Sequence, residues 1–254
     1  MTTLLLLPFG NKLAEIAVKI LPDNEKEEET IQKLMYIRPF ESNYPVGHAA
    51  VVISQIQREI DRMLEKTRKN VEQSYDAVLA GDAGRLEEIQ EREDYIDYLN
   101  GEIARYIVSL MSVEMSERDT KSINSYYLML GNVERIGDHA INIAEYTQFM
   151  KKWEIRLTEE EKEEIVKMKE ISRQTLEALS LEDETKSAEI LARVSEGEKE
   201  IDEMQKKYLK RQIKRAKKGE SKAECGIMFS EMLTDFERIG DYALNVAQLY
   251  DEMA

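Results

Sequence analysis

All four prolines of this 254-residue chain lie at or before Pro45, and the remaining two hundred or so residues contain none. A proline inside a helix removes a backbone donor and clashes with the preceding turn, so a long proline-free stretch leaves long helices open to the chain. The hydrophobic pattern then asks for them. Apolar residues fall at Ala49, Val52, Ile53, Ile56, Ile60, Met63, Val71, Tyr75 and Val78, the three-and-four spacing of one buried stripe. With 34% charged and 42% hydrophobic residues, the composition is that of amphipathic helices sharing a core. The pattern predicts an all-α fold of six helices, over about 46–80, 84–115, 118–149, 158–180, 185–218 and 221–253.

The expected ends have local causes. Ser116 with Asp119, Thr158 with Glu161, and Ser221 with Glu224 each place a hydroxyl cap three residues ahead of an acid. Gly219 stands where a C-terminal glycine cap belongs. Short connections make neighbouring helices antiparallel.

The residues before Pro45 read differently. Residues 1–21 begin with an apolar run, Leu4 to Phe9, and then acquire Asn11, Lys12, Glu15 and Lys19. No basic leader precedes the run, and it is too short and too charged for a free-standing span. Two readings stay open on composition, an interfacial amphipathic helix or the end of a membrane helix. Residues 22–45 carry three prolines and an acidic run and read as a linker.

The helical region is written twice. "VERIGDHAINIAEY" starts at Val133 and "FERIGDYALNVAQLY" at Phe236, with eight identities in the twelve positions from Val133 to Ala144. Upstream of each lies a second acidic phrase, "EDYID" at 93–97 and "EKEID" at 198–202. Matched spacing over such a distance indicates internal duplication. It predicts two tandem antiparallel three-helix bundles, residues 46–150 and 151–254, preceded by the short apolar helix and linker.

Each phrase holds a Glu and an Asp four residues apart: Glu93 with Asp97, Glu134 with Asp138, Glu198 with Asp202, and Glu237 with Asp241. Such pairs share a helical face, about 6 Å apart, and repel one another. With 51 acids in the chain, roughly ten such pairs arise by chance, so one alone means nothing. These four sit at matched places in a duplicated unit, equidistant from the turn of each hairpin. Each hairpin therefore brings four carboxylates level, a stripe at the border of the core that Asn142 and Asn245 extend. Bound divalent or trivalent cations would quench the repulsion; ion pairs with Arg135 and Arg238 are the competing reading. Gly137 and Gly240, mid-helix, cost about 1 kcal/mol each against alanine, so something approaches their backbone closely. His139 becomes Tyr242 in the second copy, which suits packing better than ligation.

Whole function classes drop out. A formal charge of −15 is wrong for a nucleic-acid partner. One cysteine and two histidines leave no Cys-based zinc site and no Glu-x-x-His di-iron set. No phosphate-cradling glycine loop is present. Metal-assisted hydrolysis of phosphate esters ranks third among the readings, for want of an identifiable nucleophile or positioned base; the expectation is a non-enzyme.

The paired Glu-x-x-x-Asp motifs, with "ERIGD" followed by A-x-N-x-A, resemble the PhoU family of phosphate-uptake regulators over about residues 46–253. The resemblance implies paired three-helix bundles with multinuclear iron, zinc or magnesium sites, here on Glu93, Asp97, Glu134, Asp138, Glu198, Asp202, Glu237 and Asp241. The N-terminal run, the acidic linker and "YPVGHAAVVISQIQREIDRM" resemble the end of a sodium–phosphate cotransporter that carries a cytosolic PhoU domain. That second resemblance makes residues 1–21 a stub of the last membrane helix. It implies a regulatory domain on the cytoplasmic face of the membrane, in contact with the transporter's membrane domain or another phosphate-signalling protein. The alternative it leaves is a stand-alone PhoU-type regulator docking on a separate transporter or sensor kinase. Homo-oligomer formation and a metal-free structural bundle also stay open.

Overall fold

The computed structural model describes residues 33–37, 49–111, 115–181, 184–219 and 222–253. Within them run α1 (Ala49–Ala80), α2 (Leu86–Leu110), α3 (Glu117–Lys152), α4 (Glu159–Ala178), α5 (Ser187–Lys217) and α6 (Ala223–Asp251). Single 3₁₀ turns at Ala83–Arg85 and Glu184–Lys186 lead into α2 and α5. The expected apolar helix of residues 1–21 and most of the linker lie outside the described residues.

The caps explain where the helices begin. The Ser116 hydroxyl accepts the Asp119 N–H, and Thr158 and Glu161 form a reciprocal capping box. Thr158→Ala is expected to cost about 1 kcal/mol, read as a lower urea midpoint at unchanged slope. Two expectations need correction. The second helix stops at Leu110 and not near 115, because the chain must reverse before the extended Ser116 cap. The sixth starts at Ala223, with Lys222 at the cap position and no side-chain cap bond; Ser221 lies outside the described residues. Gly219 takes φ 71°, the left-handed turn that favours glycine after a helix.

Helices α1, α2 and α3 pack on one another, as do α4, α5 and α6. The two triads join through α3 on α6 and α1 on α4, so each contact pairs helices equivalent in the repeat. One apolar core runs through both, from Ile56, Ile60 and Met63 to Phe229 and Phe236, and Leu34–Ala254 is a single compact unit. Tyr75 of α1 stacks on Phe236 of α6 with centroids 4.4 Å apart, while its hydroxyl bonds to Ser172 of α4 at 2.8 Å.

The end of α4 depends on the other helices. Helix C-termini leave carbonyls without partners, and here α1 supplies them. Arg68 donates to the Leu176 and Leu179 carbonyls, and Asp61 accepts the Leu181 N–H. The Leu181 carbonyl takes Gln57 and, at 2.9 Å, the Tyr250 hydroxyl.

Residues 33–37 are irregular, as a linker should be, yet they are anchored. Glu59, fully buried on α1, accepts the N–H groups of Met35, Tyr36 and Ile37 and the Arg62 guanidinium. A buried carboxylate needs such donors, and meeting that need pins Ile37 into the core.

Candidate functional site

Helix α2 carries Glu93 and Asp97, and α3 carries Glu134 and Asp138. The hairpin brings all four together. Burial pushes the Glu93 carboxyl up to about 8; the Asn70 hydrogen bond opposes this, and the charges of Asp97, Asp138 and Glu134 add to it. Asp97 is raised by lost hydration and then by Asp138 and Asp94. Glu134 is raised by lost hydration, then by Asp138 and Asp97, against Arg135. The second quartet, Glu198 and Asp202 on α5 with Glu237 and Asp241 on α6, is likewise assembled. Glu198 is raised by lost hydration and by Asp241, Asp202 and Glu237, against Lys206. For Glu237 lost hydration and Asp241 lead, opposed by Arg238.

The quartets differ in how they sit. Glu93 is only 3% exposed, where the sequence placed all the acids at the rim of the core. Its Oε2 accepts from Asn70 Nδ2 at 3.0 Å, and its Oε1 has no hydrogen-bond partner. A Cβ on Gly137 would stand 2.7 and 2.8 Å from the two Glu93 oxygens, so the missing side chain is what admits the carboxylate. In the second quartet a Cβ on Gly240 would meet Ile201 Cδ1 at 3.3 Å and Glu198 carbons at 3.7 Å. There the glycine serves helix packing, and Glu198 stays half-buried.

Counter-charges differ too. Lys206 reaches Asp202 at 2.6 Å, and Arg238 reaches Asp241 at 3.0 Å and Glu237 at 3.7 Å. Arg135 instead lies over the Tyr242 ring, 5.4 Å from its centroid. Ion pairs thus reach three acids of the second quartet, whereas among the described residues no acid of the first makes one and Arg135 acts on Glu134 through its charge alone. Among the described residues, no three histidine, cysteine or acidic side chains are placed to hold a metal ion as they stand. The unpartnered Glu93 oxygen and the oxygen-only donor set are of the kind that hard cations take.

The expected polar extension is not part of the stripe. Asn142 donates to Asp235 at 3.4 Å and Asn245 to Asn132 at 3.2 Å. Four residues advance a helix by about 400°, so a residue one turn on from Asp138 or Asp241 has rotated toward the partner helix. These contacts belong to the α3–α6 interface.

Sequence reasoning missed Asp235. Only 7% exposed, it takes His139 Nδ1 at 2.7 Å and the Tyr146 hydroxyl at 2.8 Å. Its available signal was a polar residue just upstream of both duplicated phrases, Asn132 and Asp235. His139 also stacks on Tyr242, its own counterpart in the repeat, with centroids 5.7 Å apart. His139 thus combines packing on its counterpart with a polar contact to Asp235.

No helix among the described residues is long and apolar enough to cross a membrane. The PhoU domain family model matches the chain twice, at residues 60–147 and 165–250. The phosphate-specific transport system accessory protein PhoU homolog 1 of Thermotoga maritima is 23% identical over 199 residues, covering 77% of this chain and 84% of that protein. The PhoU homolog of Clostridium acetobutylicum is 23% identical over 206 residues, covering 77% and 89%. The crystal structure of PhoU from Pseudomonas aeruginosa superposes with a TM-score of 0.72 at 20% identity, covering 79% of this chain and 96% of that one. The phosphate transport system regulatory protein PhoU from Streptococcus pneumoniae gives 0.69 at 18% identity, covering 81% and 96%.

Proposed function

Because the chain belongs to the PhoU domain family, matched in both halves, we propose that it is a PhoU-type accessory protein that regulates phosphate transport by contact with a separate transport or signalling component. The observation that carries this is the double family match. The Thermotoga and Clostridium relatives bear the name of accessory proteins of a phosphate-specific transport system. They favour the stand-alone regulator over the cotransporter domain, whose support is the N-terminal stretch through Met63.

The acidic quartets are the working surface of this reading. Glu93, Asp97, Glu134, Asp138, Glu198, Asp202, Glu237 and Asp241 would hold cations of the iron, zinc or magnesium type. A bound cation supplies positive charge that cancels the mutual repulsion and ties each hairpin together. The chain's own residues prepare this. Gly137 admits the Glu93 carboxylate, Asn70 holds its Oε2, and exposed Asp97 and Asp138 present oxygens to solvent.

Deleting the gene in its host is the test, with labelled phosphate uptake and a phosphate-starvation reporter as readouts. Loss of the gene is expected to shift one or both, and the full chain to restore them. No change in either rejects the proposal. Complementation by Leu34–Ala254, the compact unit, separates the two versions. Full rescue supports the separate regulator, whereas rescue only by the longer chain supports a membrane-tethered domain.

A further inference from the structure

We infer that the two acidic quartets are unequal: the α2–α3 quartet is the tighter cation site, and the α5–α6 quartet is the weaker one, partly neutralised from within by Lys206 and Arg238. This rests on the cation reading proposed above and goes further, assigning the duplicated halves different roles.

Three observations carry it. The first is the buried donor. Glu93 is 3% exposed, its Oε1 lacks any hydrogen-bond partner, and it lies against bare Gly137 between Glu134 and Asp138. Ionising a buried carboxyl whose oxygen has no partner is costly, and a cation would remove that cost. The second is counter-charge. Asp202, Asp241 and Glu237 have Lys206 or Arg238 within 4 Å, and no acid of the first quartet has an ion pair among the described residues. Side chains with no ion pair to break can turn toward a cation at little cost.

The third is in the repeat itself. Aligning "EDYID" with "EKEID" sets Gly101 opposite Lys206 and Asp94 opposite Lys199. Duplication kept all eight acids and changed the charges around them. The first copy has an acid and a glycine where the second has two lysines. Asp94 is exposed beside the first quartet and spent on no ion pair among the described residues, so it deepens the negative field there. In the second copy Ile201, and not a carboxylate, sits closest to the helix glycine.

The full chain, stripped by chelator, is titrated with Mn²⁺ alone, followed by calorimetry and by the paramagnetic resonance of free Mn²⁺. Two classes of site are expected, at least about tenfold apart in affinity, the order set by one or two ion pairs. The tight class is lost in Glu134→Gln/Asp138→Asn and kept in Glu237→Gln/Asp241→Asn. Two surface changes test the cause without touching the acids. Lys206→Ala tightens the weak class by roughly fivefold, and Gly101→Lys weakens the tight class by roughly fivefold. Equal affinities, or a tight class lost with Glu237 and Asp241, overturn the inference while leaving cation binding standing. No Mn²⁺ binding at any concentration overturns both.

Discussion

Glu93→Gln stabilises the metal-free protein at about pH 9, on the order of several kcal/mol, and has little effect near pH 4. The Glu93 carboxyl is raised to about 8 in the fold, chiefly by burial, from an unfolded value of about 4.3. Between those limits the folded chain holds a proton that the unfolded chain has released. Stability therefore falls as pH rises through this window, and the loss is complete above the folded value. Glutamine cannot ionise, and its carbonyl can still accept the Asn70 hydrogen bond, so it escapes the loss. Urea midpoints in chelator at about pH 4, 7 and 9 give the comparison. A variant less stable than the parent at every pH would show that the carboxylate is held ionised by something else. With saturating Mn²⁺ the order is expected to reverse, since a neutral amide is a poorer partner for a hard cation.

Phe236→Ala is expected to cost about 3–5 kcal/mol, the usual loss for a large aromatic removed from a tight core. Phe236 is fully buried on α6 and stacks on Tyr75 of α1, which in turn bonds to Ser172 of α4. The cavity would open where both triads meet, so both should weaken together. For a chain of this length the melting temperature should fall by roughly 10 °C in one transition. If a second transition survived at the parent temperature, the halves would be separately stable and the shared core would be energetically unimportant.

Glu59 shows how a periodic reading goes astray. It lies on the stripe that the sequence assigns to apolar burial, one residue before Ile60, and is itself fully buried. Its burial is tolerable because three backbone N–H groups from a segment more than twenty residues away converge on it. No local rule reports partners that arrive from so far. The same holds for Asn70, whose amide reaches Glu93 across the α1–α2 contact, and for Asp235, which holds α3 through His139 and Tyr146. Lys206 is the contrary case. Four residues beyond Asp202 on the same helix, it was readable as an ion-pair partner from spacing alone, and its pairing is what distinguishes the two quartets.

What the linear chain determined was largely what short range governs: six helices among the described residues, their hydroxyl caps at Ser116 and Thr158, the duplication, and acids on neighbouring helices that feel one another's charge. Helical period and equal distances from a turn suffice for these, because both are properties of a few consecutive turns. What tertiary structure alone decided was the unequal burial of chemically identical motifs. Glu93 is driven into the core over Gly137 while Glu198 stays half out beside Ile201. Burial and field are sums over atoms from several helices, and the two copies of the motif have different neighbours.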